Sequence, residues 1–155
     1  MALKFYREKF EHIYTEAAPL LEEHWKEIAN HKELLYINPD AVTYQKAEEL
    51  GKLLIITARD EGKLVGYFVW AMHNHPHYQH ALVAEEDIHF LLPEYRKGLN
   101  GYFLIKNAVK LAKHFGAAMC TVREKWSHQH PALMKRLGFT PADIVYTMVL
   151  TDKEF

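Results

Sequence analysis

The stretch Asp87-Ile88-His89-Phe90-Leu91-Leu92-Pro93-Glu94-Tyr95-Arg96-Lys97-Gly98-Leu99-Asn100-Gly101-Tyr102-Phe103-Leu104 constrains this chain more than any other. It reads as a strand stopped by proline, a tight loop holding two glycines and two cations, and the opening of a helix. Glycine lets backbone N–H groups converge without side-chain obstruction, and a helix start offers free donors and the positive end of its dipole. With Arg96 and Lys97 added, the loop suits a diphosphate. A strand–loop–helix joint of this kind belongs to an α/β fold.

The rest of the pattern agrees. Residues 3–7 alternate as a short first strand. Phe10, Ile13, Tyr14, Ala17, Leu20, Leu21, Trp25 and Ile28 then recur at helical spacing, with Pro19 expected to kink or split the helix. Asn38-Pro39-Asp40 starts a second helix that ends near Gly51, with Asn38 as its cap. Leu53–Arg59 and Leu64–Met72 form a hairpin across Asp60-Glu61-Gly62-Lys63. His73–His80 is a polar connection, and Ala81–Leu92 is a long strand. A helix over Leu99–Phe115 buries Phe103, Leu104, Ala108, Leu111 and Phe115. A strand over Ala117–Arg123, a short helix over Pro131–Leu137 and a last strand over Ile144–Leu150 complete a β-α-α-β-β-β-α-β-α-β order.

The 155 residues fit one domain, 1–155, and the net charge of −1 argues against a nucleic-acid partner. The charge is uneven. Acids crowd the first third, while Arg96 to Arg136 is basic, which suits a compact anionic ligand. A single cysteine, Cys120, excludes an internal disulfide and fits a reducing, cytoplasmic setting. No apolar run has the length of a signal peptide or a membrane span.

Two segments carry a family resemblance. Pro93-Glu94-Tyr95-Arg96 followed by Gly101 resembles the phosphate loop of the GNAT acetyltransferases, although Gly98 sits one residue before the family's middle glycine, at Leu99. Leu133-Met134-Lys135-Arg136-Leu137-Gly138-Phe139 resembles that family's late helix. Leu64-Val65-Gly66-Tyr67, His77-Tyr78 and the Pro-Glu-Tyr-Arg-Lys-Gly run add a likeness to acetyltransferase-like proteins of tailed bacteriophages.

The resemblance implies a mixed twisted sheet of six to seven strands, with helices on both faces and a splayed parallel strand pair. It implies transfer of an acetyl group from acetyl-CoA to an unidentified amine by direct attack on the thioester, in a monomer or homodimer without a membrane partner. Phe90, Leu91 and Leu92 would pair with the pantetheine arm. Arg96, Lys97, Gly98, Leu99, Asn100, Gly101 and Tyr102 would hold the diphosphate, and Ser127 would stand for the family's late asparagine.

Attack by an amine needs a base. Simple alternation places Glu85, Asp87, His89 and Leu91 on one face of the long strand and Glu86, Ile88, Phe90 and Leu92 on the other. Asp87 is the first candidate, followed by Glu86 and His89. The family's late-helix tyrosine is replaced by Met134, which cannot donate a proton, and Tyr146 is the candidate substitute acid. Met134 also supports an alternative reading, a catalytically impaired member that binds or inhibits a protein or nucleic-acid partner. His73, His75, His77 and His80 lack a cysteine neighbour and suit a pocket wall better than a metal, so no metal is expected.

Overall fold

The computed structural model describes residues 2–150. The elements follow in the order β1 (Lys4–Arg7), α1 (Phe10–Ile28), α2 (Ala41–Glu49), β2 (Leu53–Asp60), β3 (Lys63–His75), β4 (Tyr78–Leu91), α3 (Asn100–His114), β5 (Met119–Thr121) and α4 (Pro131–Leu137). A one-turn 3-10 helix, Pro93–Tyr95, joins β4 to the loop before α3. The five strands lie side by side in chain order, with every pairing antiparallel except that of β4 with β5.

The sheet separates two apolar layers. On one side Ile13, Ala17 and Leu20 of α1, with Tyr44 and Ala47 of α2, pack on Leu53, Ile55, Tyr67, Val69 and Phe90. On the other side Leu104, Ile105, Ala108 and Ala112 of α3, with Leu133 and Leu137 of α4, pack on Leu54, Ile56, Phe68, Trp70 and Leu91. Strands covered on both faces read as continuous apolar runs, which is why Leu53–Ile56 and Tyr67–Trp70 show no polar alternation. The indole of Trp70 donates to the Ala108 carbonyl at 2.8 Å and fixes α3 against the sheet.

Several expectations are corrected. The sheet has five strands, not six to seven, because Ile144–Leu150 forms no strand and is exposed. The histidine-rich connection is the tip of a long hairpin: His73 and His75 end β3, and His80 lies in β4. Asp40, not Asn38, caps α2, its carboxylate accepting from Val42 and Thr43 N–H at 3.1 Å. Pro19 lies inside an unbroken α1. The buried stripe of α3 runs through Leu104, Ile105, Ala108 and Ala112, leaving Phe103 and Phe115 partly exposed.

Candidate active site

β4 and β5 pair in parallel only over Val83–Glu85 and Met119–Thr121. Beyond these residues the pairing ends, which leaves a gap in the ladder between the two strands. Where it opens, β4 also bulges. Val69 of β3 pairs with Ile88 and Trp70 with Glu86, so Asp87 is an extra residue on β4. The bulge reverses the alternation expected from the sequence. Ala84 and Leu91 belong to the α3 layer, whereas Ile88 and Phe90 belong to the α1 layer. Glu86 and Asp87 are therefore neighbouring carboxylates that reach different partners.

Glu86 is 9% exposed. Its Oε1 lies 2.9 Å from Nδ1 of His89, and its Oε2 accepts from the Arg123 backbone N–H at 3.3 Å. The carboxylate thus spans from β4 to the residues that follow β5. The His89 ring stacks on Phe68 with centroids 5.3 Å apart. Asp87 instead accepts a 2.7 Å hydrogen bond from the Tyr44 hydroxyl of α2. Its carboxyl reaches solvent on one side, but loss of water around it raises its pKa. The Tyr44 bond pulls that pKa back down, and the Glu86 charge adds to the rise. Burial and the same bond push the Tyr44 phenol up in turn.

Backbone geometry sets the other wall of the gap. The Leu92 N–H donates to Val65 C=O at 2.9 Å. Hydrogen-bonded and non-bonded pairs alternate in an antiparallel ladder, so Phe90 also turns its polar groups toward β3, while Leu91 and His89 turn theirs toward the gap. Of the three residues expected to meet a pantetheine arm, only Leu91 turns its backbone there, with its N–H alone since Arg96 occupies its carbonyl, joined by His89. The close approach of β3 behind it requires a glycine. A Cβ on Gly66 would lie 2.8 Å from the Phe90 carbonyl and 2.7 Å from Leu91 Cδ1.

The loop after β4 has the open backbone expected of an anion cradle. Gly98 adopts a left-handed φ of 61°, and a Cβ on Gly98 or Gly101 would meet no atom within 4 Å. Leu99 caps α3 without a side-chain bond, and the first firm intrahelical donor is Phe103, bonded to Leu99 C=O at 2.9 Å. The N–H groups of Gly101 and Tyr102 accordingly lie among the orphan donors of a helix start. The Asn100 side chain is turned inward, donating to Tyr95 C=O at 2.9 Å. Lys97 is exposed.

Arg96 behaves differently from a free phosphate ligand. Its Nε donates to Leu91 C=O, and its two terminal nitrogens grip both oxygens of Glu27 in α1, all at 2.7 Å. This fork ties the loop to α1. Two cations outside the loop lie against Tyr102 in the first turn of α3: Lys106 and Arg136 are each 5.1 Å from its ring centroid. Their positions in the basic stretch signalled them, but convergence on Tyr102 did not show in the sequence.

The remaining candidates are not gathered in. Tyr146 is 88% exposed in the C-terminal segment. Ser127 is exposed, its Oγ 2.8 Å from His128 Nδ1. Met134 is half-buried against the α3 layer as a packing residue. Among the described residues no group of three or more His, Cys, Asp or Glu side chains could hold a metal, and no helix is long and apolar enough to cross a membrane.

Sequence reasoning passed over His24. It sits on the apolar stripe of α1, 7% exposed, its Nδ1 3.1 Å from the Tyr67 hydroxyl and its ring stacked on Phe90 at 4.7 Å. Burial pushes its pKa down to about 4, and the nearby His89 adds to the fall. A lone histidine four residues from Leu20 on a buried stripe was the available signal.

A mixed sheet with one parallel pair, helices on both faces and an open glycine loop at a helix start define an α/β protein. The acetyltransferase (GNAT) family profile matches residues 4–139, and the chain belongs to that family. Solved structures of similar fold include an aminoglycoside acetyltransferase from an uncultured soil metagenomic sample in complex with sisomicin. It is 18% identical, with 97% of each chain covered and a TM-score of 0.73. A ribosomal-protein-alanine N-acetyltransferase from Brucella melitensis biovar Abortus 2308 is 16% identical, covering 97% of this chain and 99% of its own, with a TM-score of 0.65. A predicted acetyltransferase from Clostridium acetobutylicum, solved with acetyl-CoA, is 11% identical over 96% of each chain, with a TM-score of 0.70. No curated protein matches the chain by sequence.

Proposed function

We propose that this chain transfers the acetyl group of acetyl-CoA to a primary amine, with Asp87 as the base. The bulge at Asp87 carries the reading, because it gives two adjacent carboxylates different partners at the point where the β4–β5 pairing ends. Asp87, held by Tyr44, faces the α1–α2 side, where an acceptor can approach without crossing the gap. Its raised pKa makes it a better proton acceptor than an ordinary carboxylate. Glu86 positions His89 and the start of the Arg123 segment. The amine nitrogen forms its bond to the acetyl carbon as the carbon–sulfur bond breaks. Asp87 takes the amine proton, and the thiolate, a good leaving group, departs unaided.

The gap fits the co-substrate. Backbone groups of His89 and Leu91 line it, and the orphan donors of Gly101 and Tyr102 with Lys97, Lys106 and Arg136 suit its phosphates. The amine acceptors of the sisomicin-bound relative and of the ribosomal-protein relative support an amine here without choosing its size. One free thiol, Cys120, agrees with a cytoplasmic setting.

The test is a panel of aminoglycosides, polyamines and N-terminal peptides with acetyl-CoA, read by release of free thiol. Turnover on any of them supports the reading. Stabilisation by acetyl-CoA with no turnover across the panel favours the binding-module alternative that Met134 suggests. Asp87→Asn with undiminished turnover removes Asp87 from its role.

A further inference from the structure

A cavity of about 480 Å³ lies between α1 and the segment that leads into α2, and none of its lining residues belongs to β4 or β5. It is lined by three rings, Tyr14, Trp25 and Tyr36, by the aliphatic side chains of Leu21 and Ile37, and by one acid, Glu22. The Trp25 indole is fixed by its N–H, which donates to the Leu35 carbonyl at 2.9 Å. Tyr36 is 76% exposed, so burial in the core does not account for its place here.

Aromatic faces attract cations, and a carboxylate beside them adds to the attraction. α1 contributes a negative field as well. It carries five glutamates against one lysine, Lys26. Arg59 neutralises Glu16 and Arg96 neutralises Glu27, which leaves Glu11, Glu22 and Glu23 with Lys26 on the exposed surface. The Glu22–Lys26 pair, at 3.0 Å, is exposed and weak enough to yield to a ligand. The chain itself shows the preference of the indole: the Lys32 ammonium lies 5.6 Å from its ring centroid. Phe10 joins this cavity to the proposed base. Its ring stacks on Tyr44, the partner of Asp87, at 5.5 Å and lies 5.1 Å from that of Tyr14.

We propose that the cavity holds an ammonium group of the acceptor, and that the acceptor is an alkyl diamine or longer polyamine with another of its amines at Asp87. The inference rests on acetyl transfer beside Asp87. The two nitrogens need opposite surroundings. The attacking amine must be neutral. A nitrogen among these rings and Glu22 is held in its charged form and cannot attack. The nitrogen bound in the cavity is therefore not the one acetylated, and the methylenes between the two pack on Leu21 and Ile37.

Trp126→Phe leaves Trp25 as the accessible indole, because Trp70 is fully buried. In that protein spermidine should quench the emission saturably, and Tyr36→Ala or Glu22→Gln should weaken the binding roughly threefold or more. In thiol-release assays with acetyl-CoA, α,ω-diamines should exceed alkyl monoamines of equal chain length in kcat/KM by about tenfold or more. Both substitutions should raise KM for the diamines and narrow that advantage. Equal use of diamines and monoamines overturns the proposal, as does quenching that neither substitution weakens. Saturable quenching with no turnover on any amine instead removes acetyl transfer and leaves the ammonium site standing.

Discussion

Nδ1 of His89 lies 2.9 Å from Oε1 of Glu86, while the other oxygen of that carboxylate holds the Arg123 N–H. One side chain thereby links β4 to the residues that follow β5. Glu86→Gln keeps the shape but replaces one acceptor oxygen with a donor. It is expected to lower kcat by about tenfold or more through misplacement of His89 and to raise KM for acetyl-CoA less. Steady-state kinetics with both substrates varied checks the split.

Asp87 and Tyr44 make a second pair, 2.7 Å apart. Asp87→Asn should cut kcat about 10²-fold or more while sparing acetyl-CoA binding. The acid limb of the pH–rate profile should lie above the ordinary carboxylate range, because burial raises the Asp87 pKa. Tyr44→Phe removes the one bond that lowers it, so the limb should move to still higher pH. A limb that stays put in Tyr44→Phe separates Asp87 from the rate.

Arg96 and Lys97 are adjacent, but the structure gives them different work. Arg96→Ala breaks the fork to Glu27 and the bond to Leu91 C=O, and is expected to cost about 1–2 kcal/mol of stability. Lys97→Ala should leave stability within about 0.5 kcal/mol and weaken acetyl-CoA binding by a few-fold. Denaturant melts and calorimetric titration of the two variants check the division.

His24 is buried in its neutral form, with its pKa pushed down to about 4. The unfolded chain binds that proton near pH 6.5, so acid favours unfolding between the two values. Stability from this group is complete above pH 6.5 and is lost as the pH falls toward 4, by up to about 3 kcal/mol. In His24→Phe, which keeps an aromatic ring beside Phe90, the same interval should be flatter. Urea denaturation at pH 7, 6, 5 and 4.5 measures it.

Gly66→Ala should destabilise the domain by about 2 kcal/mol. The new methyl would meet the Phe90 carbonyl at 2.8 Å, and backbone cannot yield as a side chain does. Chemical denaturation reads the loss directly.

Much of this architecture is written locally. Periodicity marks α1, α3 and the paired strands, because burial of one helix face or of a whole strand imposes a repeat on the sequence. The loop from Arg96 to Gly101 is legible because glycines, cations and a helix start are close along the chain. The alternation along β4 was misread because a bulge is one extra residue with no sequence mark of its own; only pairing with Val69 and Trp70 reveals it.

The sequence by itself determined the α/β class, the order of elements through α4 and the open glycine loop before α3, since each depends on residues within a turn or two of one another. The tertiary structure decided which carboxylate meets Tyr44 and which meets His89, that Glu27 claims Arg96, that His24 is held neutral, and that Ile144–Leu150 stands outside the sheet. Those outcomes depend on contacts between residues far apart in the chain. Only the folded packing sets these distances, and with them the water that each charge keeps or loses.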